Sequence, residues 1–519
     1  MAGFFCVLTA GTVSTGERHK KRYLAKSVLT QKSALKGGRF KRLTLVLPPL
    51  AGGKTAHPIP TSCSKRCSAP ALQEVVIALE HTLNTSPFAL VTAIGLLSLH
   101  TAAQAGGFIE DSKATLSMRN FYINSDYRSG GKATDPSKVE EWGQAFILNY
   151  QSGFTPGPVG FGVDAIGMLG LKLDSGSHIG KGSRQPGTMF PRESDGASTD
   201  DFSSLGLTAK VRVSRTELRY GTLMPKLPVV NYNDGRLVPQ TYEGGQITSK
   251  EFDNLTLIAG QIEHVKDRNS SNYESVSIAG SKADSNQFRY AGADYQLTRN
   301  LTLQYYYGSL DDFYKQHFLG ALHSQPLGSG VLKTDLRYFD SRSDGANGHE
   351  PAYYANGYYD GGSAVKGKVD NRLYSAMFSY SVAGHTLGAG YQGSEGNSDF
   401  PYLEQGNGKT LYTITNAQIG KFIHAGEDTW HVRYAYDFGN VGVQGLNAGV
   451  AYWHGDNARY QTGDRSEWER DLTVSYTVPR GVLKGVGFTV RNAMYRPGFP
   501  GQRDQDETRV IINYSIPLL

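Results

Sequence analysis

Cysteine is scarce in this sequence and confined to one end of it. The 519 residues contain three cysteines, Cys6, Cys63 and Cys67, and residues 106–519 contain none. A cysteine zinc cluster, a catalytic thiol and a disulfide framework are therefore excluded from the main body of the chain.

An excess of basic charge is also missing from the main body. Residues 1–105 carry 13 Lys and Arg against 3 Asp and Glu, whereas residues 106–519 carry 40 basic and 44 acidic residues. The net charge of +6 therefore comes from the N-terminal segment. Whole-chain charge gives no basis for nucleic-acid binding, and we expect none.

Apolar runs long enough to cross a bilayer as a helix are absent. The run at residues 87–99 has 13 residues, and a spanning helix needs about 20. Its length and the small residues Ala103 and Ala105 are typical of a signal peptide core and its cleavage site. We expect 87–105 to be a signal region, with a buried core helix as the alternative. We assign no fold to the extension 1–86 and ascribe it to a misassigned translation start.

Glycine, tyrosine and a period of two characterise residues 106–519. This part has 54 glycines, 30 tyrosines and all four tryptophans. Successive strand side chains point to opposite faces, so alternation of apolar and polar residues predicts strands. It occurs in 159–173, 205–213, 301–308, 430–436, 472–478 and 509–516, although Ile166 and Met168 break the pattern.

The spacing of these strands predicts an up-and-down meander. Short turns such as 382–385 alternate with long polar stretches such as 174–201 and 341–368. A length of 414 residues accommodates roughly 16–18 strands of membrane-spanning length. The apolar phase often ends in Tyr or Trp, as in aromatic girdles, and the opposite phase is small or charged. We therefore predict an all-β transmembrane antiparallel barrel over 106–519, with a water-soluble sandwich as the rival architecture.

Several stretches of residues 106–519 resemble the OprD family of outer-membrane porins of Gram-negative bacteria. They include Arg119-Asn-Phe-Tyr122, Tyr220-Gly-Thr-Leu-Met-Pro225, Arg236-Leu-Val-Pro-Gln-Thr241, Asp370-Asn-Arg-Leu-Tyr374 and Asp506-Glu-Thr-Arg-Val510. The resemblance implies a barrel of about 18 strands with an inward-folded constriction loop, present as a monomer or weak homotrimer. It also implies an outer-membrane location, passive uptake of small solutes, and contact with lipopolysaccharide and the barrel-assembly machinery.

Residues on the polar phase of the strands are predicted to line the pore. An Arg or Lys facing the bilayer midplane costs about 2–4 kcal/mol, so basic residues in mid-strand should face the lumen. Arg470 is an exception, because it falls on the apolar phase. The predicted pore-lining basic residues are Arg119, Lys210, Arg212, Arg219, Lys333, Arg337, Arg433, Arg491 and Arg509. A row of such cations offers successive sites for a carboxylate, or alternatively pairs with lumenal acids and only braces the wall.

The stretch 225–241 breaks the alternation and contains three prolines. Asn233, Asp234 and Gly235 predict a turn that presents Asp234 and Arg236. By resemblance to the family this stretch is the constriction loop, formed by Tyr232, Asp234 and Arg236; an ordinary surface loop is the alternative.

The sequence thus predicts a porin for small anionic or zwitterionic solutes, such as amino acids or organic acids. We expect no enzyme activity, no catalytic residues, no cofactor and no metal. The alternatives are a surface adhesin, which predicts a plugged lumen, and a barrel hydrolase, for which no motif links the histidines to a nucleophile.

Overall fold

A computed structural model describes residues 107–129, 135–180, 182–281, 283–346, 368–406, 409–460 and 462–519. The predicted extension 1–86 and signal region 87–105 lie outside the described residues. Both therefore remain predictions.

The described chain forms eighteen long strands. They are β1 (Lys113–Tyr127), β2 (Lys138–Gln151), β3 (Val159–Ser175), β4 (Asp201–Val213), β5 (Thr216–Leu223), β6 (Thr241–Phe252), β7 (Leu255–Lys266), β8 (Phe288–Thr298) and β9 (Leu301–Leu310). The second half contains β10 (Tyr314–Leu327), β11 (Gly330–Ser343), β12 (Asp370–Val382), β13 (His385–Gly396), β14 (Asp428–Asp437), β15 (Leu446–Ala458), β16 (Arg465–Thr477), β17 (Gly487–Pro497) and β18 (Gln505–Pro517). Short strands occur at Arg184–Gln185, Lys226–Leu227, Val230–Asn231 and Glu274–Ser275, and a 3-10 helix at Phe438–Val441.

The eighteen strands close into a barrel. Each pairs antiparallel with its neighbours in the chain, and β18 pairs with β1 from Thr115 opposite Pro517 to Tyr127 opposite Gln505. Closure leaves no unpaired edge between the first and last strands. The predicted all-β antiparallel up-and-down barrel of about eighteen strands is confirmed. Among the described residues, no helix is long and apolar enough to cross a membrane.

Alternation along the strands separates an apolar outer face from a polar inner face. In β4, Leu205 and Leu207 are 54% and 57% exposed, whereas Thr208 and Lys210 are 5% exposed. A water-soluble sandwich would bury the apolar phase instead. The orientation therefore fits a barrel with hydrocarbon outside, and the sandwich is excluded.

Part of the inner face is apolar, which explains the break in alternation at Ile166 and Met168. Both side chains are buried, at 6% and 3% exposure. They belong to a cluster on the inner face of β1–β3, where two connecting segments contact the wall. Its members are Phe121, Ile123, Ala145, Ile147, Ile166, Met168, Met189, Phe190, Phe202, Leu237 and Val238.

The long connections lie at one end of the barrel. Those after β3, β5, β7, β11 and β13 join odd strands to even ones and so share that end. The opposite end has mainly short turns, such as Ala383-Gly384, where both residues adopt positive φ values of 46° and 82°. Outer-membrane barrels carry their long loops on the extracellular side, which defines the outer end of this barrel.

Candidate functional site

A cavity of about 940 Å³ lies among the inner strand faces and the connecting segments. Three acidic residues line it: Asp234, Asp471 and Glu507. Seven basic residues line it as well: Lys226, Arg236, Arg268, Lys409, Lys421, Arg491 and Arg509. The excess of cations makes the cavity attractive to anions.

The segment 224–240 forms one wall of the cavity and is tied to β1. Arg119 Nη1 donates to Asp234 Oδ1 at 2.7 Å and to the Arg236 carbonyl oxygen at 2.8 Å. The Gly235 amide donates to Asn233 Oδ1 at 3.1 Å, which forms the turn that the sequence predicts. Arg119 therefore braces this segment.

Arg236 presents its guanidinium to the cavity. Burial, together with the nearby Arg509, lowers the pKa of Arg236 to about 10. Burial also holds the pKa of Arg268 well below its usual range, and Arg236 and Arg509 lower it further. Nearby carboxylates offset this effect in part, because Glu507 and Glu141 raise the pKa of Arg236, and Asp267 and Asp234 raise that of Arg268.

A second segment, 397–427, also contacts the inner face. The Ile419 amide donates to Glu469 Oε1 at 2.8 Å, and Glu469 also accepts from the Gly420 amide. The Gln418 amide donates to Asp471 Oδ2 at 3.0 Å. These three amide hydrogen bonds hold the segment against the inner face of the barrel.

Lys421 is the basic residue that this second segment places in the cavity. Its Nζ donates to the Ala417 carbonyl oxygen. Burial lowers the pKa of Lys421 to about 7, although Glu469 raises it in part. Its charged form is therefore less favoured than that of an exposed lysine.

All nine strand residues predicted to line the pore lie on the inner face of the barrel. Five of them form ion pairs: Arg119, Lys210, Arg219, Arg337 and Arg509. The other four form no ion pair within 4.0 Å among the described residues: Arg212, Lys333, Arg433 and Arg491. The first five are therefore paired with carboxylates, whereas the last four have no such partner in the described part of the chain.

The structure does not bring the nine residues into one site. Only Arg491 and Arg509 line the large cavity. Arg219 lines a second cavity of about 260 Å³ with Asp164. Arg337 stacks on Tyr412, 4.1 Å from the ring centroid, and Arg433 donates to Ser379 Oγ at 2.9 Å.

Of the five basic cavity residues that the connections supply, sequence reasoning found Arg236 and missed the other four. Arg268, Lys409 and Lys421 have no strand alternation around them to indicate an inner face. Lys226 lies within the stretch 225–241, and its Nζ lies 5.1 Å from the Tyr232 ring centroid. Position in a loop gave no signal for these four residues.

The described residues contain no group of three or more His, Cys, Asp or Glu that could hold a metal ion. His454 Nε2 lies 3.1 Å from Asp456 Oδ1, on the outer face of β15.

The family of the chain follows from a comparison with family models. Residues 106–518 match the model described as outer membrane porin, OprD family. The chain belongs to this family. It is therefore an outer-membrane porin rather than an enzyme, and the resemblance that the sequence motifs indicated is confirmed.

Curated relatives and solved structures agree with this assignment. The porin is similar to Porin-like protein GalP of Pseudomonas putida, with 36% identity over 81% of this chain and 96% of the relative. It is similar to Porin D of Pseudomonas aeruginosa, with 33% identity over 85% and 98%. The crystal structure of P. aeruginosa OccK8 (OprE) is 56% identical, with a TM-score of 0.73 over 80% of this chain and 100% of that one. The crystal structure of P. aeruginosa OpdK with vanillate is 35% identical, with a TM-score of 0.70 over 79% of this chain and 100% of that one.

Proposed function

We propose that this porin carries small carboxylate-bearing solutes passively through the large cavity. The observation that carries the proposal is the lining of that cavity, in which seven basic residues face three acidic ones. Guanidinium groups bind carboxylates bidentately, so the lining favours organic anions and zwitterions over cations.

We also propose that the segment 224–240 is the constriction loop, with Tyr232, Asp234 and Arg236 at the pore. Its contact with Arg119 and the burial of Leu237 and Val238 against β1 and β2 support an inward fold. Asp234 and Arg236 both line the cavity, so they meet any solute that crosses it.

Conduction requires sites that bind weakly enough to release the solute. Acidic residues in the cavity weaken the binding of anions to its cations. Arg509, for example, already donates from Nε to Glu507 Oε1 at 2.7 Å, so a solute carboxylate must compete with Glu507 for it. Arg491 forms no such pair among the described residues and is the better anion site. The solute then passes between Arg509, which Glu507 partly neutralises, and Arg491, which is unpaired among the described residues.

The crystal structure of P. aeruginosa OpdK was determined with vanillate, which is an aromatic carboxylate. This supports a carboxylate as the substrate class here.

Liposome swelling with purified protein tests the proposal. Pairs of membrane-impermeant solutes that match in size but differ in the carboxylate, such as glucuronate and glucose, separate charge recognition from sieving. We expect faster uptake of the carboxylate, and a loss of that preference in Arg491→Gln. Arg372→Gln, on the outer face of β12 beside Glu395, is the control and should behave as the wild type. Equal rates for both solutes in the wild type would reject the substrate class, and no swelling at all would support the adhesin.

A further inference from the structure

Arg470 lies on the apolar outer face of the barrel, unlike the nine basic residues of the inner face. Leu472 and Val474 share its two-residue period in β16 and are 40% and 49% exposed. The adjacent Glu469 points the other way and accepts hydrogen bonds from the segment 397–427. Alternation therefore directs the Arg470 side chain outward, toward membrane lipid.

Arg470 lies near the outer edge of the apolar band. On the same face of β16, Trp468 precedes it and Tyr476 follows it, and aromatic side chains of this kind mark the two membrane surfaces. A strand that rises about 3.3 Å per residue and tilts by about 40° places Arg470 roughly 5 Å inside Trp468 and roughly 15 Å from Tyr476. From that depth an arginine side chain reaches the headgroup level.

Neutral side chains hold the Arg470 guanidinium in place. Its Nη2 donates to Asn492 Oδ1 at 3.0 Å, and Asn492 Nδ2 donates to Thr508 Oγ1 at 3.1 Å. Arg470 forms no ion pair within 4.0 Å in the part of the chain that the structure describes. Its Nε is buried and has no hydrogen-bond partner there, so the Nη atoms are the donors that a ligand can reach. By contrast, the outward Arg496 of β17 lies 2.8 Å from Asp506. Arg470 is thus oriented but not neutralised.

We propose that Arg470, oriented by Asn492, binds the phosphate of an outer-leaflet lipid. A phosphate accepts bidentate hydrogen bonds from a guanidinium and supplies the missing negative charge. The position of Arg470 just inside the Trp468 level places it within reach of a headgroup phosphate whose acyl chains lie on Leu472 and Val474. The site is independent of the solute pathway, because it lies on the opposite face of the wall.

A second copy of the chain fits this surface less well. A twofold contact would bring two Arg470 side chains together, because the same patch then faces itself. The outward side chains between Arg470 and the inner ends of the three strands offer no carboxylate to another copy. They are Leu472, Val474 and Tyr476 of β16, Phe488, Val490 and Asn492 of β17, and Thr508, Val510, Ile512, Tyr514 and Ile516 of β18.

Native mass spectrometry of the folded porin in detergent tests this site. The probes are lipid A with two phosphates, the same lipid with its phosphates removed, and inorganic phosphate. We expect bisphosphorylated lipid A to bind, and Arg470→Gln to bind it about fivefold more weakly, the effect of one cation near an anionic surface. Arg470→Lys should retain most of the affinity, and Arg372→Gln should match the wild type. A retained shift between heated and unheated protein on a gel confirms that each variant is folded.

Four results would overturn the proposal. They are equal binding of the dephosphorylated lipid, full competition by inorganic phosphate, an equal loss in Arg372→Gln, and a change in oligomer size in Arg470→Gln with lipid binding unchanged. The last result would assign the surface to a second copy. Channel conductance of Arg470→Gln should equal that of the wild type, so a failure of the solute proposal is distinguishable from a failure of this one.

Discussion

Arg119 Nη1 lies 2.7 Å from Asp234 Oδ1, and this pair joins strand β1 to the segment 224–240. The same guanidinium also binds the Arg236 carbonyl oxygen at 2.8 Å. The residue that the sequence assigns to the row of pore cations therefore positions the segment that carries Arg236.

Asp234→Asn should widen the channel. The side chains of Arg119 and Asp234 are 20% and 40% exposed, so we expect the loss of the pair to cost less than about 1 kcal/mol of stability. The segment then gains freedom to move, and single-channel conductance should rise and fluctuate more. Asp253→Asn removes a pair with Arg215 at a short turn and should leave conductance unchanged. An unaltered conductance in Asp234→Asn would show that the pair does not hold the constriction.

Glu469→Gln should loosen the segment 397–427. The Glu469 carboxyl group accepts from the Ile419 and Gly420 amides, and each such hydrogen bond contributes about 0.5–1.5 kcal/mol. We expect faster limited proteolysis within 397–427 and a higher conductance, with the barrel still folded. Glu395→Gln, on the outer face of β13 beside Arg372, should be cleaved at the wild-type rate. Wild-type cleavage of Glu469→Gln would mean that other contacts hold the segment.

Anion selectivity should fall as the pH rises from 6 to 8. A pKa of about 7 leaves Lys421 charged below that pH and neutral above it. The neighbouring Glu469 and Asp471 raise the pKa of Lys421, whereas Arg509 and Lys409 lower it. Reversal potentials in a salt gradient measure the change, which Lys421→Met should abolish. Lys315→Met, beside Asp344, should keep the wild-type pH dependence, and a persistent change in Lys421→Met would assign the titration to another group.

Phe190→Ala should destabilise the packing of the connecting segments against the inner face of β1–β3. Phe190 is fully buried and packs edge-on against Phe202, with ring centroids 6.1 Å apart. Truncation of a buried phenylalanine costs about 3–5 kcal/mol. A lower midpoint of thermal unfolding, followed by circular dichroism, measures the loss. Exposed Phe161 on β3 is the control, and a similar loss in Phe161→Ala would contradict packing by Phe190 as the cause.

The strands could be predicted from the sequence because hydrocarbon outside and polar groups inside impose a period of two. The exceptions at Ile166 and Met168 have a physical cause, because both pack in a buried cluster with Phe190 and Val238 of the connecting segments. Closure between β1 and β18 needed the family resemblance, since no local pattern pairs residues 400 positions apart.

The cavity was harder to predict than the barrel. Its strand members Arg491 and Arg509 follow from alternation, whereas Arg268, Lys409 and Lys421 lie in connections whose path depends on long-range contacts. The ion pairs of Lys210 with Asp164 and of Arg337 with Asp335 could not be predicted from alternation either. The first depends on strand register and the second on the side-chain rotamers.

The reversal potential of single wild-type channels in a planar bilayer with a potassium chloride gradient tests the anion pathway most directly. Seven basic residues around the cavity predict discrete openings with chloride more permeant than potassium. Arg491→Gln should move the reversal potential toward the potassium value. Discrete openings with potassium more permeant, or no openings at all, would contradict a cavity that selects anions.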